Sequence, residues 1–510
     1  MPRYAHRATC FDRLATELVE LILTQLDGES IVRASAVCQR FRHLVTSSAR
    51  LQYQIELALE GLVEDPLYGP ISLPARIAAL QRYKRCWNEL QLPDKTYRVV
   101  CPGGPEEYSC FPAGGYLVDH SVEESAIRIA TLPATGGELD WKEMPLAADD
   151  SDPDAGAGRH YSTIALQALN MLIVLGVADH LPDGNVVPKV SLLHAEGFGP
   201  HPLAAKSELQ WPAEAGPLSG VNWESMGLCG RSLAITLQQG RICVVWDWLL
   251  GTPLLVYPLP PLPTTNNWLL LTERTFCWTV HSDREVVLFV RSFDEYGNVH
   301  PLGAYAFPRL GTDPFIAEVS LTTDDADDIG YTHRLDARYP FLTDARGESV
   351  LALTLVVLTH AGHGVRDTAW TFYALRSALL QQQAAPDEVV PWATWGPQAT
   401  RLVSGEAQAI RGCRAVHASD DDEATCETSV LTFLPAKCRA ARDRVVDAPS
   451  VVDDRVMFED RVETRLPYLI AASQPDAGIG LPPGALSWWE DGRIVWTTPE
   501  DPRVCRIVSL

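Results

Sequence analysis

Residues 11–30 read FDRLATELVELILTQLDGES, and the apolar positions in this stretch are too many for an ordinary surface helix. With Leu18 at zero and ~100° per residue, Val19 falls at ~100°, Leu21 at ~300°, Ile22 at ~40°, Leu23 at ~140° and Leu26 at ~80°. The apolar arc spans roughly 200°, about twice the stripe that one packing face requires. Glu17, Glu20 and Thr24 occupy the remaining sector, and Gln25 is the single polar residue inside the arc. Asp27-Gly28 reads as the stop, because glycine commonly follows a helix end.

A second helical stretch follows at residues 29–48, ESIVRASAVCQRFRHLVTSS, with Ser30 as a candidate cap. Ile31, Val32, Ala36, Val37, Phe41, Leu44 and Val45 continue the apolar pattern. Some forty residues lie near the lower size limit for an independent core. These helices therefore carry more apolar surface than they can cover between themselves. The excess either packs on the rest of the chain or waits for a second polypeptide.

The order Leu14-Ala15-x-Glu17-Leu18, Ile22-Leu23-x-x-Leu26 and Val37-Cys38-x-x-Phe41 resembles the F-box motif, with a domain expected over residues 10–50. Ala15 stands where that family carries a proline that touches the adaptor. The resemblance implies docking onto the Skp-type adaptor of a cullin-RING ubiquitin ligase. It implies an interface at or near Leu14, Ala15, Leu18, Ile22, Leu23 and Leu26, supported by Val37 and Phe41. Which of these face the adaptor and which face the domain's own core stays open at the level of sequence.

Residues 51–95 read as connecting helices. RLQYQIELALEGL (50–62) places Leu51, Ile55, Ala58, Leu59 and Leu62 on one face, with Gly61 and Pro66 as stop signals. A further helix is expected from Leu73 to Leu90, with Pro74 in its first turn and Ile77, Leu80, Trp87 and Leu90 on its apolar face. This arrangement resembles fungal F-box proteins.

From residue 96 to 510 the pattern changes to short apolar runs separated by Gly, Pro, Asp and Asn. FCWTVHSDREVVLFV (276–290) reads as strand, turn, strand. ICVVWDWLLGTPL (242–254) resembles a blade strand of WD-type repeats, with Trp246-Asp247 before a turn at Gly251. At ~40–50 residues per blade, the length fits a β-propeller of seven or eight blades. A pair of β-sandwiches is the competing architecture. The acidic runs 152–158, 322–330 and 418–425 read as solvated loops.

Composition bounds the function classes. The 510-residue chain is 46% hydrophobic and 21% charged, with a formal net charge of -23. This balance opposes general nucleic-acid binding and approach to anionic lipid. No apolar run reaches the ~18–20 residues of a membrane span, and the start lacks a secretion signal, so a cytoplasmic or nuclear chain is expected. The twelve cysteines contain no Cys-x-x-Cys and read as small buried apolar residues.

Candidate chemistry is sparse. His281-Ser282-Asp283 has the residue types of a hydrolase triad, but neighbours in a turn cannot form its relay. His360 and His363 with Asp367 could meet at one zinc ion, although Gly362 and Gly364 more simply mark a turn. Asp325, Asp327 and Gly330 have calcium-loop spacing, but Ile329 interrupts it and Asp336 replaces the closing Glu. Trp392, Trp395, Trp488 and Trp489 could line a binding face or pack between blades. No catalytic residue, metal site or cofactor is expected. The expected function is a non-catalytic substrate-recognition subunit that binds the adaptor, and through it cullin and RING protein, and holds a target protein on the β domain. A non-ligase scaffold is the alternative, and a propeller enzyme or small-molecule binder a third.

Overall fold

The computed structural model describes residues 14–64, 71–90, 96–102, 110–113, 116–121, 126–132, 139–145, 160–167, 172–180, 186–195, 197–216, 218, 223–237, 242–259, 268–323, 340–343, 347–361, 364–381, 388–419, 427–472, 486–490, 493–498 and 501–509. The run 152–158, most of 322–330 and 418–425, and the calcium-spaced aspartates lie outside these residues.

Four short helices open the fold: α1 (Thr16–Leu23), α2 (Gly28–Ser35), α3 (Gln39–Ser47) and α4 (Ala49–Leu59). The stretch 29–48 is two helices, not one. The break falls at Ala36-Val37-Cys38, and the Cys38 Sγ caps α3 by accepting from the Phe41 N–H at 3.4 Å. Asp27-Gly28 does not follow α1 as a stop; it starts α2. Asp27, not Ser30, is the cap, and its carboxylate accepts from the Ser30 N–H at 2.7 Å. Gly28 is needed for a close helix crossing. A Cβ there would meet Ala58 Cβ at 2.4 Å and the Gln54 carbonyl at 3.0 Å. Gly28→Ala is therefore expected to destabilise this helical unit by about 1–3 kcal/mol, through overpacking between α2 and α4. Hydrogen exchange in α2 and α4 measures it; unchanged protection would mean that the helices part freely.

After α4 the chain forms a short strand, Leu62–Glu64, that pairs antiparallel with Phe341–Thr343. Helix α5 (Leu73–Glu89) follows with Pro74 in its first turn, and ends at Leu90 in a left-handed conformation, φ 49°.

Among the described residues, the remainder forms a ring of seven sheets, each of four or five strands. Blades one to six run in chain order over 110–145, 160–210, 223–258, 268–306, 315–404 and 406–472. The seventh combines Leu486–Glu490, Arg493–Thr498 and Asp501–Ser509 with an outermost strand from the other end of the ring, Thr96–Val100. Each blade-to-blade interface has its own apolar cluster. Val118 meets Ile173 between blades one and two, Val174 meets Ile235, and Leu255 meets Trp268. Tyr305 meets Phe372, Tyr373 meets Leu431, Val430 meets Ile494, and Val495 meets Leu117. Seven clusters around seven sheets close a propeller. That count excludes eight blades, and a sandwich pair has no such cyclic series of interfaces.

The Trp246-Asp247 reading holds. Asp247 pairs with Arg231 at 2.6 Å and accepts from the Leu250 N–H at 3.0 Å. Gly251 closes that turn at φ +66°. Three helices were not legible as such: α6 (Arg376–Leu380), α7 (Trp392–Ala399) and α8 (Pro435–Ala440). They lie in connections that cover sheet edges, where unpaired strand groups would otherwise invite association. Val389–Val390 pairs with the outer strand of blade four. The segment after α8 crosses the outer strand of blade five, where buried Arg401 donates to the carbonyls of Leu466, Ala448 and Val446.

Candidate functional site

The broad apolar arc of α1 is divided in two. Val19 and Leu23, at ~100–140° on the wheel, are buried with Ile31, Leu44, Val45 and Leu51 in the core of the four helices. Leu18, Leu21 and Ile22, between ~300° and ~40°, face outward. With Leu26, Val32 and Val37 they remain 39–73% exposed. The carboxy-terminal strands do not cover them.

The expected interface residues thus separate. Ala15, Leu18, Ile22, Leu26 and Val37 are exposed. Leu14 and Phe41 are half-buried against the helical core. Leu23 is turned inward at 4% exposure, so its side chain supports the surface from below. Leu21 and Val32 belong to the exposed set and were missed. Leu21 was legible from the wheel, since it lies on the same edge of the arc as Leu18.

Polar ties fix this surface. Arg40 donates to the Leu14 carbonyl at 2.5 Å. The Ser48 hydroxyl donates to Glu20. Gln54 donates to the Thr24 carbonyl at 3.0 Å, tying α4 to the end of α1.

A second constellation joins the helices to the ring. Glu60, at the C-terminal end of α4, is 2% exposed and accepts from Arg414 at 2.5 Å and Lys437 at 2.6 Å. Arg414 also donates to the Tyr83 hydroxyl of α5 at 3.2 Å, and Lys437 to Asn88 at 2.6 Å. Tyr53, Leu57, Tyr83 and Trp87 pack around the joint against Val416, Val430 and Ile494 of blades six and seven. Arg414 opens the second strand of blade six and Lys437 lies in α8 after the third, so the helices sit on one end of the ring. Burial pushes the Glu60 carboxyl up, but Arg414 and Lys437 beside it more than offset this and hold it below its usual range. Two cations share one carboxylate; burial and the nearby Arg414 push Lys437 down to about 8.

Among the described residues, the candidate catalytic and metal residues form no metal-binding group. His281 ends a strand, and the Ser282 hydroxyl accepts from the Glu285 N–H of its own turn at 3.2 Å. The side chain of His360 and all of His363 lie outside the described residues. Among the described residues no group of three His, Cys, Asp or Glu could hold a metal ion. Trp395 is buried and Trp392 packs beside it between blades four and five. The side chains of Trp488 and Trp489 lie outside the described residues. No helix among the described residues is long and apolar enough to cross a membrane.

The family model of the F-box domain matches residues 11–53. These residues form an F-box. No curated protein matches the chain in sequence. Among solved structures, the β-propeller domain of Cps50 (Swd1) from Myceliophteria thermophila is 8% identical, covers 82% of this chain and 100% of its own, and has a TM-score of 0.33. The WD40 domain of Toxoplasma gondii coronin is 9% identical, covers 82% and 87%, and has a TM-score of 0.34. At such distances these likenesses add nothing to the seven-bladed ring visible in the sheet order. An F-box joined to a propeller fits a substrate-recognition adaptor, and both are typically non-catalytic interaction modules.

Proposed function

We propose that the chain is the substrate-recognition subunit of an SCF-type cullin-RING ubiquitin ligase. The F-box docks on a Skp-type adaptor, and the propeller holds a target protein. The observation that carries this reading is the outward half of α1: Leu18, Leu21 and Ile22 stay exposed beside a well-formed core. Apolar residues in this number on so small a unit suit a protein partner. The action is proximity. Holding target and charged enzyme in one assembly raises the effective concentration of the target's lysines.

The buried joint at Glu60 supports the same reading, because a fixed helix-to-ring geometry sets the reach between adaptor and target. The test is reconstitution of the full chain with a purified Skp-type adaptor and a cullin. Recovery of both supports the ligase role. Adaptor alone favours a scaffold without ligase activity, and recovery of neither removes the proposal.

A further inference from the structure

We propose that Cys101 and Cys505 are a thiol pair that closes to a disulfide and locks the ring at its seam. Blade seven closes the ring by pairing strands from distant ends of the sequence, Thr96–Val100 with Asp501–Ser509. The Sγ atoms of Cys101 and Cys505 are 3.6 Å apart, although the two residues are 404 positions apart in sequence. Both thiols are buried in the cluster of Val99, Leu117 and Val495 that seals blade seven to blade one.

The register explains the approach. Val99 lies opposite Cys505, and side chains two apart on a strand share a face. Cys101 therefore points to the same side as Cys505, one diagonal step away. It lies just beyond the strand's last residue, Val100. Closing to a bond of about 2.05 Å needs a shift of about 1.5 Å.

The reaction is exchange with a small-molecule disulfide. One cysteine thiolate attacks it, forming a mixed disulfide and releasing one thiol. The second thiolate displaces the other thiol and completes the Cys101–Cys505 bond. Two protein thiols are oxidised, the small disulfide accepts two electrons, and the two cysteine protons end on the two released thiols. Opening of the seam strand gives the reagent access, since edge strands open below the cost of global unfolding.

The experiment treats the full chain with oxidised glutathione and maps peptides without reduction. A linked peptide holding Cys101 and Cys505 is expected, lighter by the mass of two hydrogens. Faster migration on a non-reducing denaturing gel should accompany it. Closing so long a loop is expected to raise the urea midpoint by about 1 M, reversed by dithiothreitol. Cys101→Ala should abolish the linked peptide and the midpoint shift together, and Cys101→Val supplies a second variant if the first folds poorly. Glutathione adducts at both positions without the linked peptide would overturn the pairing. The linked peptide without a midpoint rise would overturn the lock.

Discussion

Leu18→Asp is expected to abolish capture of a Skp-type adaptor while the F-box and propeller stay folded. Leu18 is 49% exposed in the free chain, so a carboxylate there remains hydrated and costs the fold little. In a docked complex the same carboxylate is buried against apolar groups without a partner. That penalty is on the order of 3 kcal/mol or more, which corresponds to at least about 100-fold in affinity. Ile22→Asp should act alike, since it lies on the same outward sector of α1. Leu23→Asp separates docking from folding. Its side chain lies in the helical core, so it should unfold α1–α4 and lose protection throughout them. Binding isotherms with purified adaptor, read beside circular dichroism, check all three. Adaptor capture by both Leu18→Asp and Ile22→Asp at the wild-type affinity would remove this face from the interface.

What was legible in the sequence follows from the range of the forces involved. The helical period revealed α1, α4 and α5 because a buried stripe is a local pattern. The width of the arc on α1 raised the question of a second partner, but not how the arc divides. Val19 and Leu23 face inward because α2 to α4 lie on that side, and this depends on where the chain turns. Gly28 was misread for a related reason. Glycine marks a helix end or a close crossing with equal economy, and only the nearby Ala58 tells them apart. The blade count was hidden by irregular spacing. Connections that carry α6, α7 and α8 stretch blades five and six, and only Trp246-Asp247 resembles the signature of WD-type repeats. The seventh blade was the hardest to see, since its outermost strand lies beside α5 in sequence and far from its neighbours.

The joint at Glu60 was invisible for the same reason, with Arg414 and Lys437 lying 354 and 377 residues away, and it carries the second large expected effect. Glu60→Leu leaves Arg414 and Lys437 buried without their carboxylate. Breaking a buried ion pair from one side typically costs about 3–5 kcal/mol. The full chain should therefore lose protection along α4 and α5 while blades two to four keep theirs. Lys437→Met should cost much less, because Arg414 still neutralises Glu60. The pH dependence has a definite sign. The Glu60 carboxyl sits below its usual value of 4.5 in the folded chain, so between that value and its folded value the unfolded chain binds the extra proton. The joint's contribution is thus complete above about pH 4.5 and fades as pH falls through the folded value. Hydrogen exchange of α5 measured at neutral and acid pH reads this directly. If α5 stays equally protected in Glu60→Leu and in wild type at neutral pH, the apolar contacts of Tyr83 and Trp87 alone hold the F-box to the ring.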